Sequence, residues 1–227
     1  MKTEKILIEL KGVSKIYGKG RIAVKALSNI NLKIKEGEFL AIIGPSGSGK
    51  TTLLNIMGAL DKPTSGEVFI DNINISKIKE SNLYKVRREK VGFIFQSYYL
   101  IPTLTALQNV LVPTFPLRNN KKKFLKRAKL LFKEVGLLGK EERRPSELSG
   151  GEQQRVAIAR SLILDPPLIL ADEPTGNLDS KRGLAIINLM KRLNKKENKT
   201  FVIVTHNFQI AKICDRIIKL EDGKIKN

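Results

Sequence analysis

Gly44-Pro45-Ser46-Gly47-Ser48-Gly49-Lys50-Thr51-Thr52 is the stretch of this chain that decides its fold. A continuous apolar run, Phe39–Ile43, comes directly before it, and a helical pattern over about residues 50–60 follows it. A glycine, four further residues and then Gly-Lys-Thr, set between a buried strand and a helix, form the pattern of a phosphate-binding loop. The backbone N–H groups of such a loop and the positive end of its helix attract anions. The stretch therefore predicts a nucleotide phosphate site in an α/β fold.

The residues of this loop have different expected roles. Lys50 is expected to place a positive charge beside the β- and γ-phosphates, and the Thr51 hydroxyl to be a ligand of Mg²⁺. The other loop residues expected to contact the nucleotide are Gly44, Pro45, Ser46, Gly47, Ser48, Gly49 and Thr52. ATP and Mg²⁺ are therefore the expected cofactors.

Two adjacent carboxylates follow a second apolar run, in Leu168-Ile169-Leu170-Ala171-Asp172-Glu173. Unpaired carboxylates at the end of a buried strand are costly, so a bound cation would explain their presence. Asp172 is expected to hold Mg²⁺, and Glu173 to act as the general base on the attacking water. The only histidine, His206, follows a third apolar run at 201–204. Because the carboxyl ends of parallel strands meet at one edge, His206 is expected beside the same phosphates.

A second glycine-rich stretch, Leu148-Ser149-Gly150-Gly151-Glu152-Gln153-Gln154-Arg155, also precedes a helical pattern. Its amides and the helix dipole can form another anion site. One subunit already has a phosphate site in the first loop. The spare site therefore makes sense as a donor to the γ-phosphate of a neighbouring chain.

Together the two glycine-rich stretches resemble those of the nucleotide-binding subunit of an ABC (ATP-binding cassette) transporter. The resemblance implies a head-to-tail homodimer with two ATP molecules between the loop of one chain and the Ser149-Gly150-Gly151-Glu152 stretch of the other. It further implies that Gln96 contacts Mg²⁺ or water and takes part in catalysis, and that His206 contacts the γ-phosphate. By the same resemblance Tyr17 stacks on adenine, although a turn tyrosine is commonly only surface. Asp179 falls in Gly176-Asn177-Leu178-Asp179, the loop that crosses the dimer interface.

Three stretches resemble the macrolide-exporter and lipoprotein-release group of that family, the MacB/LolD type. They are GALDKPTSG at 58–66, FIFQSYYLIPTLTA at 93–106 and EPTGNLDS at 173–180. This implies a separate transmembrane permease and a position on the cytoplasmic face of the membrane. A mechanical signalling ATPase like the cell-division protein FtsE stays open as an alternative. Gln108 departs from the group, which usually has glutamate there, and leaves the identity of the permease open.

The order of patterns predicts one ABC ATPase domain over residues 1–227. Its expected architecture is an α/β P-loop NTPase (RecA-like) core with a mainly parallel sheet, an N-terminal antiparallel β-subdomain and an inserted α-helical subdomain. The β-subdomain and core are expected at about 1–96 and 156–227, and the helical subdomain at about 97–155. Short strands and turns are expected over 6–43, with a turn at 15–20. Further strands are expected at 67–70, 91–96, 168–171 and 201–204, the last two closing the core.

Composition limits which other functions and cellular locations are compatible with this chain. The formal net charge is +20, from 42 Lys and Arg against 22 Asp and Glu. Three explanations of this charge compete: genome composition, attraction to an anionic membrane surface, and nucleic-acid binding. A soluble ABC ATPase acting on nucleic acid or ribosomes is therefore a second alternative, although no RNA-binding signature is present and nucleic acid is the less favoured partner. One cysteine and the lack of a signal-peptide pattern at residues 1–5 favour a reducing cytosol, and no apolar run reaches the roughly 18–20 residues needed to cross a bilayer. The peripheral position on the membrane is what the family resemblance implies.

Overall fold

A computed structural model describes residues 5–117 and 120–226 of the chain. The expected absence of a signal peptide concerns mainly residues 1–4, which lie outside this range. The strands in the described part are β1 (Ile6–Tyr17), β2 (Val24–Lys35), β3 (Phe39–Ile43), β4 (Ser65–Ile70), β5 (Ile73–Asn74), β6 (Val91–Phe95), β7 (Leu168–Asp172), β8 (Thr200–Val204), β9 (Arg216–Glu221) and β10 (Lys224–Lys226). The α-helices are α1 (Lys50–Met57), α2 (Leu83–Lys90), α3 (Ala106–Leu111), α4 (Lys121–Glu134), α5 (Gly150–Leu162), α6 (Ser180–Glu197) and α7 (Phe208–Ala211).

These strands form two sheets. The larger has the order β10-β9-β3-β8-β7-β6, and every pairing in it is parallel except that of β10 with β9. The smaller sheet has the order β2-β1-β4-β5 and is antiparallel. Helices α3, α4 and α5 lie between β6 and β7 in the chain. The α/β P-loop architecture predicted from the sequence is therefore confirmed.

The central strands of the larger sheet are buried on both faces because they alternate between two apolar layers. Leu168 and Leu170 of β7 pack toward the smaller sheet and α1, whereas Ile169 and Ala171 pack toward helices α5 and α6. The side chains of β8 alternate between the same two layers, with Val202 and Val204 on one face and Phe201 and Ile203 on the other. This double burial fixes the register of the strands, and with it the positions of the polar residues at their carboxyl ends.

Several elements differ from those expected. Residues 6–43 contain two strands of 12 residues, and β1 continues to Tyr17, so the turn expected at 15–20 begins later. Helix α1 ends at Met57 with Gly58 as its C-cap, three residues before the expected end. Strands β9 and β10 extend the parallel sheet beyond β3, so the runs at 168–171 and 201–204 do not complete it. Among the described residues no helix is both long enough and apolar enough to cross a bilayer.

Candidate active site

The glycine-rich loop links β3 to α1 at the carboxyl edge of the parallel sheet. Gly49 has φ 99°, and a Cβ there would lie 2.5 Å from the carbonyl oxygen of Ala26. A Cβ at Gly44 would lie 2.0 Å from the carbonyl oxygen of Leu220. Both positions therefore require glycine, because the loop is pressed against neighbouring backbone. Lys50 Nζ donates to the carbonyl oxygens of Gly44 and Pro45, at 2.9 and 2.8 Å, and so lies across the mouth of the loop.

Asp172 lies opposite the first turn of α1, at the end of β7. Its Oδ2 accepts a hydrogen bond of 3.3 Å from the Thr51 hydroxyl. Burial raises the pKa of the Asp172 carboxyl, and the neighbouring Glu173 acts in the same direction. A partly buried carboxylate beside a hydroxyl is the kind of oxygen site that accepts Mg²⁺ together with phosphate oxygens and water. No group of three or more His, Cys, Asp or Glu side chains in the described part of the chain is arranged to hold a metal ion.

Glu173 and His206 form a direct pair. Glu173 Oε1 lies 2.8 Å from His206 Nδ1 and accepts a 3.0 Å hydrogen bond from the His206 backbone N–H. Glu173 has φ 45°, a left-handed conformation that is uncommon for a residue with a side chain. Its N–H donates to the carbonyl oxygen of Val204, which ties the turn to the adjacent strand. The Glu173 side chain is 17% exposed and that of His206 is 74% exposed, so the histidine stands on the solvent side.

An open cleft of about 540 Å³ joins these groups. Its lining includes the predicted residues Ser46, Gly47, Gly49, Lys50, Thr51, Thr52, Asp172 and Glu173. Gly44, Pro45 and Ser48 belong to the loop but do not line the cleft, and Ser48 is buried with no hydrogen-bond partner for its hydroxyl. His206 flanks the cleft through its contact with Glu173.

Sequence reasoning missed one wall of this cleft. That wall comprises Val24, Lys25, Ala26, Asp222 and Gly223. Gly223 lies in the turn between β9 and β10, and its N–H donates to the carbonyl oxygen of Ser48 at 3.0 Å. The dipeptide Asp222-Gly223 is a recognisable turn signal. Nothing in its local sequence, however, indicates that the turn supports the phosphate loop.

Gln96 and Tyr17 are among the predicted site residues that do not line this cleft. Gln96 follows β6. Its Nε2 donates to Asn177 Oδ1 at 3.3 Å, and its backbone carbonyl oxygen accepts from Asn177 Nδ2 at 3.0 Å. Tyr17 is 42% exposed, and its hydroxyl donates to Asp61 Oδ2 at 2.7 Å. Lys15 Nζ lies 4.8 Å from the centre of the Tyr17 ring. The structure thus joins Gln96 to the 176–179 loop, and Tyr17 to Asp61 and Lys15.

The second glycine-rich stretch forms the start of α5. The carboxylate of Glu152 accepts from the N–H and the hydroxyl of Ser149, at 2.8 and 3.0 Å, and pairs with Lys140. These contacts, first that of Lys140, lower the pKa of Glu152 to about 2. A shallow cavity of about 310 Å³ lies here, and it shares no lining residue with the phosphate-loop cleft. Within one chain, therefore, the two glycine-rich stretches are not brought together.

Asp179 caps the next helix. Its Oδ1 accepts from the Arg182 N–H at 2.9 Å at the start of α6, and its other oxygen lies 3.3 Å from the Arg182 side chain. Arg182 also lines the cavity at the start of α5. Asp179 therefore lies near the second glycine-rich stretch and away from the phosphate-loop cleft.

Comparison with known proteins places these observations in a family. Residues 27–176 match the ABC transporter family. An ABC transporter ATP-binding protein of Methanocaldococcus jannaschii, MJ0796, is 51% identical, with 97% of this chain and 95% of that protein aligned. A dimeric structure of MJ0796 in a post-hydrolysis state, bound to ADP and Pi, superposes with a TM-score of 0.87 at 50% identity, covering 97% of each chain. The macrolide export ATP-binding/permease protein MacB of Escherichia coli is 49% identical over 97% of this chain but only 34% of its own length.

Proposed function

The chain belongs to the ABC transporter family, and from this premise we propose how its cleft hydrolyses ATP. The phosphate loop and Lys50 bind the β- and γ-phosphates. Glu173 accepts the proton of the attacking water, and His206 holds the Glu173 carboxylate in position. The observation that carries this assignment is the 2.8 Å contact between Glu173 and His206 at the edge of the phosphate cleft. Such a positioned base contributes roughly 10²–10⁴-fold to a reaction rate.

Mg²⁺ is proposed as the partner of ATP at Thr51 and Asp172. When bound, the ion supplies positive charge to the phosphate oxygens. The support for it is the 3.3 Å contact between the two side chains and the raised pKa of the Asp172 carboxyl. Gln96, held by Asn177, is proposed to reach the ion or the water only after a movement of its loop. Tyr17 is proposed to stack on adenine, for which its contact with Thr52 of the loop gives support.

A head-to-tail homodimer is proposed to complete each site. The start of α5 offers amides at Ser149, Gly150 and Gly151 in a cavity separate from the phosphate cleft of its own chain, so a second chain must bring the two together. Glu152 and Asp179 are proposed at the same interface. The dimeric structure of the 50% identical MJ0796 supports this arrangement. A two-fold axis then makes both sites equivalent.

A membrane permease on a separate polypeptide is proposed as the partner, on the cytoplasmic face of the membrane. The name of MacB describes an ATP-binding and a permease part in one chain, and the present chain aligns with about a third of that protein. The present chain aligns with 95% of MJ0796, which is named as an ATP-binding protein alone. This makes the chain a cassette of the MacB/LolD type. Neither signalling of the FtsE kind nor action on nucleic acid is favoured by these relatives.

An apolar groove beside the Gln96 turn is the proposed contact with the permease. Its volume is about 600 Å³, and we name it the aromatic groove for its lining of Tyr84, Phe93, Phe95, Tyr99, Val112 and Pro113. Phe95 immediately precedes Gln96. The Tyr99 ring packs edge-on against the Phe95 ring, with 5.1 Å between the ring centres. A partner seated in the groove therefore touches the segment that carries Gln96. We further propose that residues 97–155 move as a unit against 1–96 and 156–227.

The test of this function is the Glu173→Gln variant. It keeps the shape of the side chain but removes the base, so ATP turnover should fall by about 10²-fold or more, and the variant should accumulate as an ATP-bound dimer. Gel filtration with and without Mg-ATP measures the dimer, and phosphate release measures turnover. Lys50→Ala is the matched control and should lose ATP affinity and dimer formation together. A Glu173→Gln form that turns over ATP normally, or stays monomeric at saturating Mg-ATP, contradicts the proposal.

A further inference from the structure

Gln154, on the fifth helical position of α5, is a buried amide that the mechanism above does not use. Its side chain is fully buried, and its Nε2 donates a 2.6 Å hydrogen bond to the carbonyl oxygen of Pro174. Its Oε1 is also buried and has no hydrogen-bond partner. A buried acceptor without a partner is destabilising, and an apolar side chain of similar length would avoid it. Packing of the core alone therefore does not explain a glutamine at position 154, because an apolar residue would be more stable there.

The carbonyl that Gln154 holds belongs to the turn that directs the proposed base. Pro174 directly follows Glu173, whose backbone has the left-handed φ of 45°. The same turn is closed by the Gly176 N–H, which donates to the Glu173 carbonyl oxygen at 3.0 Å. Gln154 thus fixes the turn on one side of Glu173, while the Val204 carbonyl fixes it on the other. A shift of Pro174 would reorient the Glu173 carboxylate.

The other end of the connection is the second glycine-rich stretch. Gly150 lies four positions before Gln154, so both are on one face of α5. A Cβ at Gly150 would lie 3.4 Å from Leu178 Cδ2, which shows that this face packs closely against the loop that follows Pro174. A displacement of the first turn of α5 is therefore carried to the 174–178 segment by direct packing and by the Gln154 hydrogen bond.

We propose that Gln154 is a positioning residue that couples the start of α5 to the orientation of Glu173 in the same chain. The inference rests on the proposed function, since it assumes that Ser149 to Gly151 meet the γ-phosphate held by the partner subunit. When that contact forms, α5 is fixed, and Gln154 holds the Pro174 carbonyl where Glu173 faces the water. Each chain thereby senses, through α5, whether the other site of the dimer is closed.

The Gln154→Met variant tests this coupling. Methionine has a similar length but no N–H to donate, so it leaves the Pro174 carbonyl unpaired and removes the unpaired Oε1. Because one unpartnered buried oxygen replaces another, Tm should change by less than about 3 °C. The turnover number kcat should fall by about 10- to 100-fold through misplacement of the base, while KM and the Kd for ATP stay at wild-type values. A folded Gln154→Met protein with wild-type kcat overturns the proposal.

Two further measurements separate positioning from general structure. Asn194→Leu removes another buried amide. Asn194 lies on α6, away from the cleft, and donates to the carbonyl oxygens of Gly37 and Lys199. It should lower Tm and leave kcat at wild-type level below the transition. In the Glu173→Gln background, Gln154→Met should keep the ATP-dependent dimer. Loss of that dimer overturns the proposal, whereas a Glu173→Gln single variant that fails to dimerise contradicts the proposed function itself.

Discussion

Asp172 shows how a single residue is held in an unfavourable state that a ligand can relieve. Burial raises the pKa of its carboxyl, so the folded protein favours the protonated form more than the unfolded chain does. Its contribution to stability is therefore fully present below the unfolded pKa of about 3.9 and is lost as pH rises through the folded pKa. At neutral pH the charged side chain is a cost to the nucleotide-free protein.

Asp172→Asn should accordingly raise the Tm of the nucleotide-free protein at pH 7, because the amide carries no charge to bury. The difference from wild type should shrink as pH is lowered toward 4 and the aspartate protonates. Thermal unfolding at a series of pH values measures this. With Mg-ATP the order should reverse, since wild type gains a ligand that the variant binds poorly. A variant that is less stable than wild type at pH 7 without nucleotide contradicts this account of Asp172.

The sequence identifies some residues of the site better than others. Lys50, Thr51, Asp172, Glu173 and His206 could be placed together because each follows a strand of one parallel sheet. The structure brings these residues to one edge. Gln154 gives no such signal, since a glutamine within a helix is usually exposed, and only packing reveals its bond to Pro174.

At the scale of elements, the aromatic groove between α2, β6 and the turn after Gln96 has an apolar lining with exposed rings. Tyr84 on α2 is 48% exposed and Tyr99 is 65% exposed. Arg160 of α5 donates to the carbonyl oxygens of Tyr98 and Tyr99, both of which have positive φ. The helix that carries Gln154 therefore also holds the wall of the groove. A permease seated there is linked through α5 to the turn of Glu173.

Tyr84→Asp should weaken the attachment of the permease without altering ATP turnover by the isolated subunit. Replacing this half-exposed ring with a carboxylate removes apolar contact area from the groove, which is expected to cost about 1–3 kcal/mol, or roughly 5- to 150-fold in affinity. The measurement is recovery of a membrane protein with the tagged Glu173→Gln form from solubilised membranes. Leu130→Asp, at a 56% exposed leucine of α4 outside the groove, is the matched control. Equal recovery with both variants, or equal loss, would count against the groove as the docking site.

Elements differ in how well sequence patterns predict them. The buried strands β3, β7 and β8 are continuous apolar runs next to turn signals, and they were predicted within one residue. Strand β9 (Arg-Ile-Ile-Lys-Leu-Glu) mixes charged and apolar residues and escaped prediction, although its burial alternates as expected for an outer strand. Register shifts interrupt the pairing of the two long strands β1 and β2, and no local signal in the sequence marks where those irregularities fall.

At the scale of the whole molecule, each chain presents two half-sites that cannot meet. The phosphate cleft lies at the carboxyl edge of the parallel sheet, and the start of α5 lies in another cavity. The general fold could be predicted from the order of the motifs. The sequence shows two anion sites in one chain, and their separation could be inferred only because one of them is spare. The distance between the two loops depends on how the helical segment packs on the core, which no local pattern gives.

The central claim, that each ATP site takes its loop from one chain and its second glycine-rich stretch from another, is tested by mixing two inactive variants. Lys50→Ala removes the phosphate contact. Gly151→Asp places a carboxylate where the partner's γ-phosphate is expected, and the fold should tolerate it, since a Cβ there meets only Arg182 at 4.0 Å. Half of the dimers in an equal mixture combine both variants, and each has one complete site. If the two sites were independent, turnover would recover to about a quarter of wild type. The chain that supplies Glu173 to the complete site carries Gly151→Asp, so the proposed α5 coupling lowers this by about 10- to 100-fold, to a level still above that of either variant alone. A mixture as inactive as its components, or full turnover by Gly151→Asp alone, would contradict the account.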